Sequence, residues 1–91
     1  MIWYECIGLA QKIFERSKLS GKMFPQHDCS ICKSVVGYMV YGEQLYFNGN
    51  CGCAQGAMRK RDISHLATYI EMNQDVPGFI HKVFHWLGED R

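Results

Sequence analysis

The stretch Cys29-Ser30-Ile31-Cys32-Lys33-Ser34-Val35-Val36-Gly37-Tyr38-Met39-Val40-Tyr41-Gly42-Glu43-Gln44-Leu45-Tyr46-Phe47-Asn48-Gly49-Asn50-Cys51-Gly52-Cys53 decides the fold. At its centre, Val35 to Tyr41 and Leu45 to Phe47 are rich in β-branched and aromatic residues, the types that fit a pleated surface. They flank a short segment around Gly42-Glu43-Gln44, so a β-hairpin is expected, with Gly42 free to take a positive φ. Successive side chains of a strand alternate faces, which puts Val36, Tyr38 and Val40 on one side and Val35, Met39 and Tyr41 on the other. Both sides are apolar. Either helices cover both, or one of them meets a partner.

The ends of the same stretch carry the chemistry. Cys29-x2-Cys32 and Cys51-x-Cys53 are separated by eighteen residues, enough to run out and back as the hairpin. A tetrahedral zinc site takes four soft or borderline ligands, and a two-residue gap lets a tight turn aim two thiolates at one ion while its amides face the sulfurs. The hairpin returns the second pair to the first, and Gly49, Gly52 and Gly56 permit the backbone contortion that a ligand turn needs. One structural zinc held by Cys29, Cys32, Cys51 and Cys53 is therefore expected. Iron in a rubredoxin-like site would use similar sulfur ligands, but usually with a two-residue gap in both turns. A Cys29/Cys32 redox pair would leave Cys51 and Cys53 without a role. Cys6 falls on an apolar helical stripe and reads as a small buried residue, and His27, two residues before Cys29, reads as a surface histidine.

Working outward, 91 residues suffice for one hydrophobic core, and the whole chain is read as a single domain stabilised by zinc, with the ribbon over residues 29–53. With 47% apolar residues the chain is not disordered, yet a core this small gains from a metal staple. Ten basic against nine acidic residues give a formal charge of +1, which exerts no general pull toward nucleic acid or anionic membrane. The opening residues Met1 to Cys6 lack the pattern of a secretory signal, and no run is long and apolar enough for a membrane span. A cytoplasmic location is expected. In that reducing setting five cysteines, an odd number, favour metal binding over a disulfide framework.

The flanks of the hairpin read as helices. Trp3, Cys6, Ile7, Leu9, Ala10, Ile13 and Phe14 recur at helical spacing over Trp3 to Ser17, and Ser17 to Lys22 ends that helix. Phe24 to Asp28 is an extended lead-in to the first cysteine pair. Asp62 caps a second helix bearing Ile63, Leu66, Ala67 and Ile70. Asp75 caps a third, with Pro77 in its first turn, a stripe of Phe79, Ile80, Val83, Phe84 and Leu87, and Gly88 at its end. The expected fold is α+β: a zinc-ribbon-type hairpin packed with about three helices, one N-terminal and two C-terminal.

Two cysteine-bearing turns joined by a β-hairpin make residues 29–53 resemble the zinc-ribbon class. The single residue between Cys51 and Cys53 departs from the commoner two-residue gap. The layout as a whole is also similar to small uncharacterised proteins of phages and other mobile elements. Neither resemblance implies an activity beyond metal binding.

The remaining features are weaker signals. His81 and His85 stand one helical turn apart, but a metalloprotease helix needs Glu where Lys82 stands, so the pair reads as a solvated face. Arg59-Lys60-Arg61 precedes the cap Asp62, where cations oppose the helix dipole; in a loop such a run is usually solvated, and otherwise it meets phosphate or an acidic surface. No nucleophile with its base and no carboxylate pair is evident, and four thiolates leave the metal no open position, so no enzymatic activity and no small-molecule substrate are expected. The aromatic set Tyr38, Tyr41, Tyr46, Phe47 and Trp86 points to an interaction module, a small regulator or inhibitor docking on a larger protein machine. Tyr38, Tyr41 and Tyr46 are its expected contact residues, with Arg59, Lys60 and Arg61 at the rim. The alternatives are nucleic-acid binding, with the three basic residues on phosphates and hairpin aromatics on bases, and rubredoxin-like electron transfer.

Overall fold

Helix α1 (Trp3–Ser20) starts where the Glu5 carboxylate accepts the Ile2 N–H at 3.1 Å. It buries Cys6, Leu9, Ala10 and Ile13 along one stripe, while Trp3 on its first turn stays 42% exposed. The helix runs a turn beyond the expected end at Ser17. Nothing in Lys18-Leu19-Ser20 opposes helix, and the stop is Gly21, whose φ of 71° only glycine takes without strain and whose N–H bonds the Ser17 carbonyl at 2.9 Å. The computed structural model describes residues 1–28, 35–48 and 59–89. Among these, no helix is long and apolar enough to cross a membrane.

Four strands follow in a meander: β1 (Phe24–Asp28), β2 (Val35–Tyr41), β3 (Gln44–Asn48) and β4 (Arg59–Arg61), adjacent in chain order and antiparallel throughout. The expected hairpin is β2–β3, closed by the two residues Gly42 and Glu43 between paired Tyr41 and Gln44, with Gly42 at a φ of 60°. The extended lead-in is an edge strand in its own right. Pro25, which lacks an N–H for the ladder, sits on that edge, and the register slips by one residue between Pro25 and His27.

Helix α2 (Ile63–Asn73) begins at Asp62, whose carboxylate accepts the His65 N–H at 3.2 Å, as the cap reading requires. Helix α3 (Phe79–Trp86) starts later than the Asp75 cap predicts. Gly78 adopts a left-handed φ of 81°, a conformation the helix cannot run through, so Asp75 and Pro77 belong to the preceding turn. The end at Gly88 is a Schellman motif: the Gly88 N–H bonds the His85 carbonyl and the Glu89 N–H bonds that of Phe84.

All three helices pack on one face of the sheet. Phe24, Tyr38, Val40 and Leu45 from the strands meet Leu9 and Ile13 of α1, Leu66 and Ile70 of α2, and Val83 and Leu87 in and after α3. The α+β architecture, with one helix before the sheet and two after it, is thus as expected. The apolar character of both sides of β2 is resolved by covering one of them.

Candidate functional site

The meander sets where the cysteine-bearing segments leave the sheet. Asp28 pairs with Val35, Asn48 with Gly37, and Arg59 with Phe47. The C-terminal ends of β1 and β3 and the N-terminal ends of β2 and β4 therefore share one end of the sheet, opposite the Gly42-Glu43 turn. Cys29, Cys32, Cys51 and Cys53 themselves lie outside the described residues. Cys29 directly follows Asp28, Cys32 precedes Val35 by three residues, and Cys51 follows Asn48 by three. Across two strand spacings, about 10 Å, three residues of extended chain are long enough. The donor set is four thiolates on segments anchored at one sheet end, and this fits a closed tetrahedral zinc site. Among the described residues, no three His, Cys, Asp or Glu side chains gather at a metal position.

The face of the sheet turned away from the helices carries Met39, Tyr41, Tyr46 and Lys60. Tyr46 pairs with Met39 on one side and with Lys60 on the other, which puts these residues side by side on one surface. The Tyr41 and Tyr46 rings meet edge-on at 5.7 Å, and the Tyr41 hydroxyl donates to the Met39 sulfur at 3.5 Å. Tyr41 is 50% exposed. Among the described residues, no element packs over this surface.

Tyr38 does not belong to it, and here the expected contact set is corrected. Its side chain is 1% exposed and faces the helices, because strand alternation places it with Val40 and opposite Phe24 and Phe47. Its ring lies 4.7 Å from that of Phe47 and 5.7 Å from that of Tyr69, and its hydroxyl is 3.0 Å from His65 Nδ1. Burial, reinforced by Tyr69 and opposed by Arg61, raises the Tyr38 phenol far above its ordinary pKa. The same burial, with the Arg61 guanidinium acting in the same direction, lowers the pKa of His65. Trp86 is likewise no exposed anchor: its ring packs edge-on against Phe24 at 5.2 Å, and its indole N–H donates to the Met23 carbonyl at 3.0 Å.

The basic run, read as a loop, is the edge strand β4. Strand alternation splits it. Lys60 joins the open face beside Tyr46, while Arg59 and Arg61 lie on the helix side, opposite Phe47 and Leu45. Arg59 and Lys60 are exposed, whereas Arg61 is partly covered. Sequence reasoning missed His65 and Tyr69, which line up on α2 at positions i and i+4; their one signal was that spacing beside the buried Leu66 and Ile70. Comparison with models of protein families, with curated proteins and with solved structures finds no match for this chain, so its function is read from the chemistry of these residues.

Proposed function

We propose that the protein is a non-enzymatic, cytoplasmic zinc-binding interaction module. Cys29, Cys32, Cys51 and Cys53 hold one zinc ion that ties the two segments at the cysteine end of the sheet. Four thiolates fill the coordination shell, so the metal shapes the fold and has no vacancy for a substrate. The open face of Met39, Tyr41, Tyr46 and Lys60 docks on a protein, as a small regulator or inhibitor docks on a larger assembly.

The observation that carries this reading is the one-sided covering of the sheet. Burying two tyrosines and a methionine on a partner removes apolar surface from water at about 25 cal/mol per Å2, and tyrosine is enriched among residues that dominate binding energy. Lys60 on the same surface favours an acidic residue opposite it. The test is affinity capture under native conditions with the unaltered chain and with the double variant Tyr41→Ser, Tyr46→Ser. A protein retained by the first and lost by the second, at equal zinc content and melting temperature, is the expected result. Capture of nucleic acid alone, or retention of the protein by the double variant, would overturn the reading.

A further inference from the structure

A groove of about 610 Å3 runs between α2 and the β3–β4 edge, on the helix side of the sheet and away from the open face. Its volume lies within the range of about 300–1,000 Å3 common for small-molecule sites. Aromatic rings of Tyr38, Phe47 and Tyr69 form its walls, and Arg61 reaches it from β4, with Lys60 at its border. Two features distinguish it from an ordinary gap between a helix and a sheet.

The first is charge. The Arg61 ε-nitrogen is buried and has no hydrogen-bond partner among the described residues. A buried guanidinium N–H left unpaired is costly, and an arginine in that state calls for an acceptor. The acid next in sequence is already committed, since the Asp62 carboxylate accepts from the Ser64 hydroxyl and from the His65 N–H. Among the described residues, the ion pairs are Lys12 with Glu89 and Lys18 with Glu43, and neither involves β4. Basic residues on an edge strand guard against unwanted strand pairing, and this accounts for the exposed Arg59 and Lys60. It does not account for Arg61, whose ε-nitrogen is turned out of water.

The second is the wall. Phe47 is only half-buried although it shares the helix side with Tyr38, and it pairs in register with Arg59. A flat apolar ring on the same side as two arginines suits a ligand that carries a planar ring and an anion together. Arginine matches phosphate oxygens with paired N–H donors and so gives a fixed geometry as well as charge.

We infer that this groove binds a nucleotide, with the phosphate on Arg61 and the base against Phe47. The same chemistry is offered by a free mononucleotide and by a residue of single-stranded nucleic acid, and the experiment separates the two. Zinc-loaded full-length protein is titrated with AMP, adenosine, inorganic phosphate, a thymidine oligonucleotide and polyglutamate, and followed by calorimetry and by NMR of the Arg61 Nε–H and the Phe47 ring. AMP is expected to shift both signals, with adenosine weaker by about tenfold or more, the share of one charged hydrogen bond. Arg61→Gln weakens AMP by a similar factor, and Arg59→Gln weakens it less. Should Arg61→Gln fail to fold, the shift of the Arg61 Nε–H in the unaltered protein decides. An oligonucleotide bound at least about tenfold more tightly than AMP, with steep salt dependence, assigns the groove to a strand; equal affinity assigns it to the free nucleotide. Absence of both shifts, adenosine binding as well as AMP, or polyglutamate binding as well as the oligonucleotide would overturn the inference.

Discussion

At the scale of single residues, Tyr38 and Tyr41 show how one strand separates structure from recognition. They are three residues apart, so they face opposite sides, and their exposures of 1% and 50% follow from that parity. Composition alone made both look like contact residues; the missing information was which face the helices cover, and that depends on packing between distant segments. Replacing Tyr38 by Ala should cost about 3–5 kcal/mol, the range for emptying a buried aromatic site. Tyr38→Phe, which removes only the hydroxyl bonded to His65, should cost about 1 kcal/mol. Tyr41→Ala should cost less than about 1 kcal/mol, and denaturant unfolding of the three variants checks the face assignment. His65 makes a second prediction. Burial lowers its folded pKa below the ordinary 6.5, so protonation favours the unfolded chain. Its contribution to stability is complete above pH 6.5 and declines as pH falls from there toward the lowered folded value. His65→Gln should flatten the fall of melting temperature between about pH 7 and 5, with zinc content checked at each pH. An unchanged slope would assign that pH dependence to other groups.

At the scale of elements, the strongest periodic signals gave the most secure readings. The stripes of α1 and α2, the cap at Asp62 and the hairpin around Gly42 were legible because local chemistry fixes each of them. The strand β4 was not legible. Three consecutive cations have low strand propensity, and they become a strand because β3 offers an unpaired edge beside them. The start of α3 differs from the expectation for a related reason: Asp75 and Pro77 are good opening residues, but the left-handed Gly78 after them holds the start of the helix back to Phe79. Glycine also supplies the element-scale prediction. A Cβ added at Gly21 meets nothing within 4 Å, so Gly21→Ala isolates the cost of holding a φ of 71°. That cost should be about 1–2 kcal/mol, or roughly 4–8 °C in melting temperature per kcal/mol for a domain of this size. A melting temperature equal to that of the unaltered protein would mean that α1 can end without its left-handed cap.

At the scale of the whole molecule, the core of a 91-residue chain is small, and the metal is expected to supply part of the stability. Elemental analysis should give about one zinc per chain, and a strong chelator at neutral pH should sharply lower the thermal transition. Loss of metal in single Cys→Ser variants at positions 29, 32, 51 and 53 tests the ligand set, and full retention in two or more of them would refute it. The covered side of the sheet has a further consequence for how the protein can diverge over time. Fold energy is concentrated in Phe24, Tyr38, Val40 and Leu45, whereas Met39, Tyr41, Tyr46 and Lys60 contact water and one another. Substitutions at the second set change stability little, so natural selection on them acts through the partner and scarcely through folding. The open face is where descendants of this chain can exchange one binding target for another while inheriting the same scaffold.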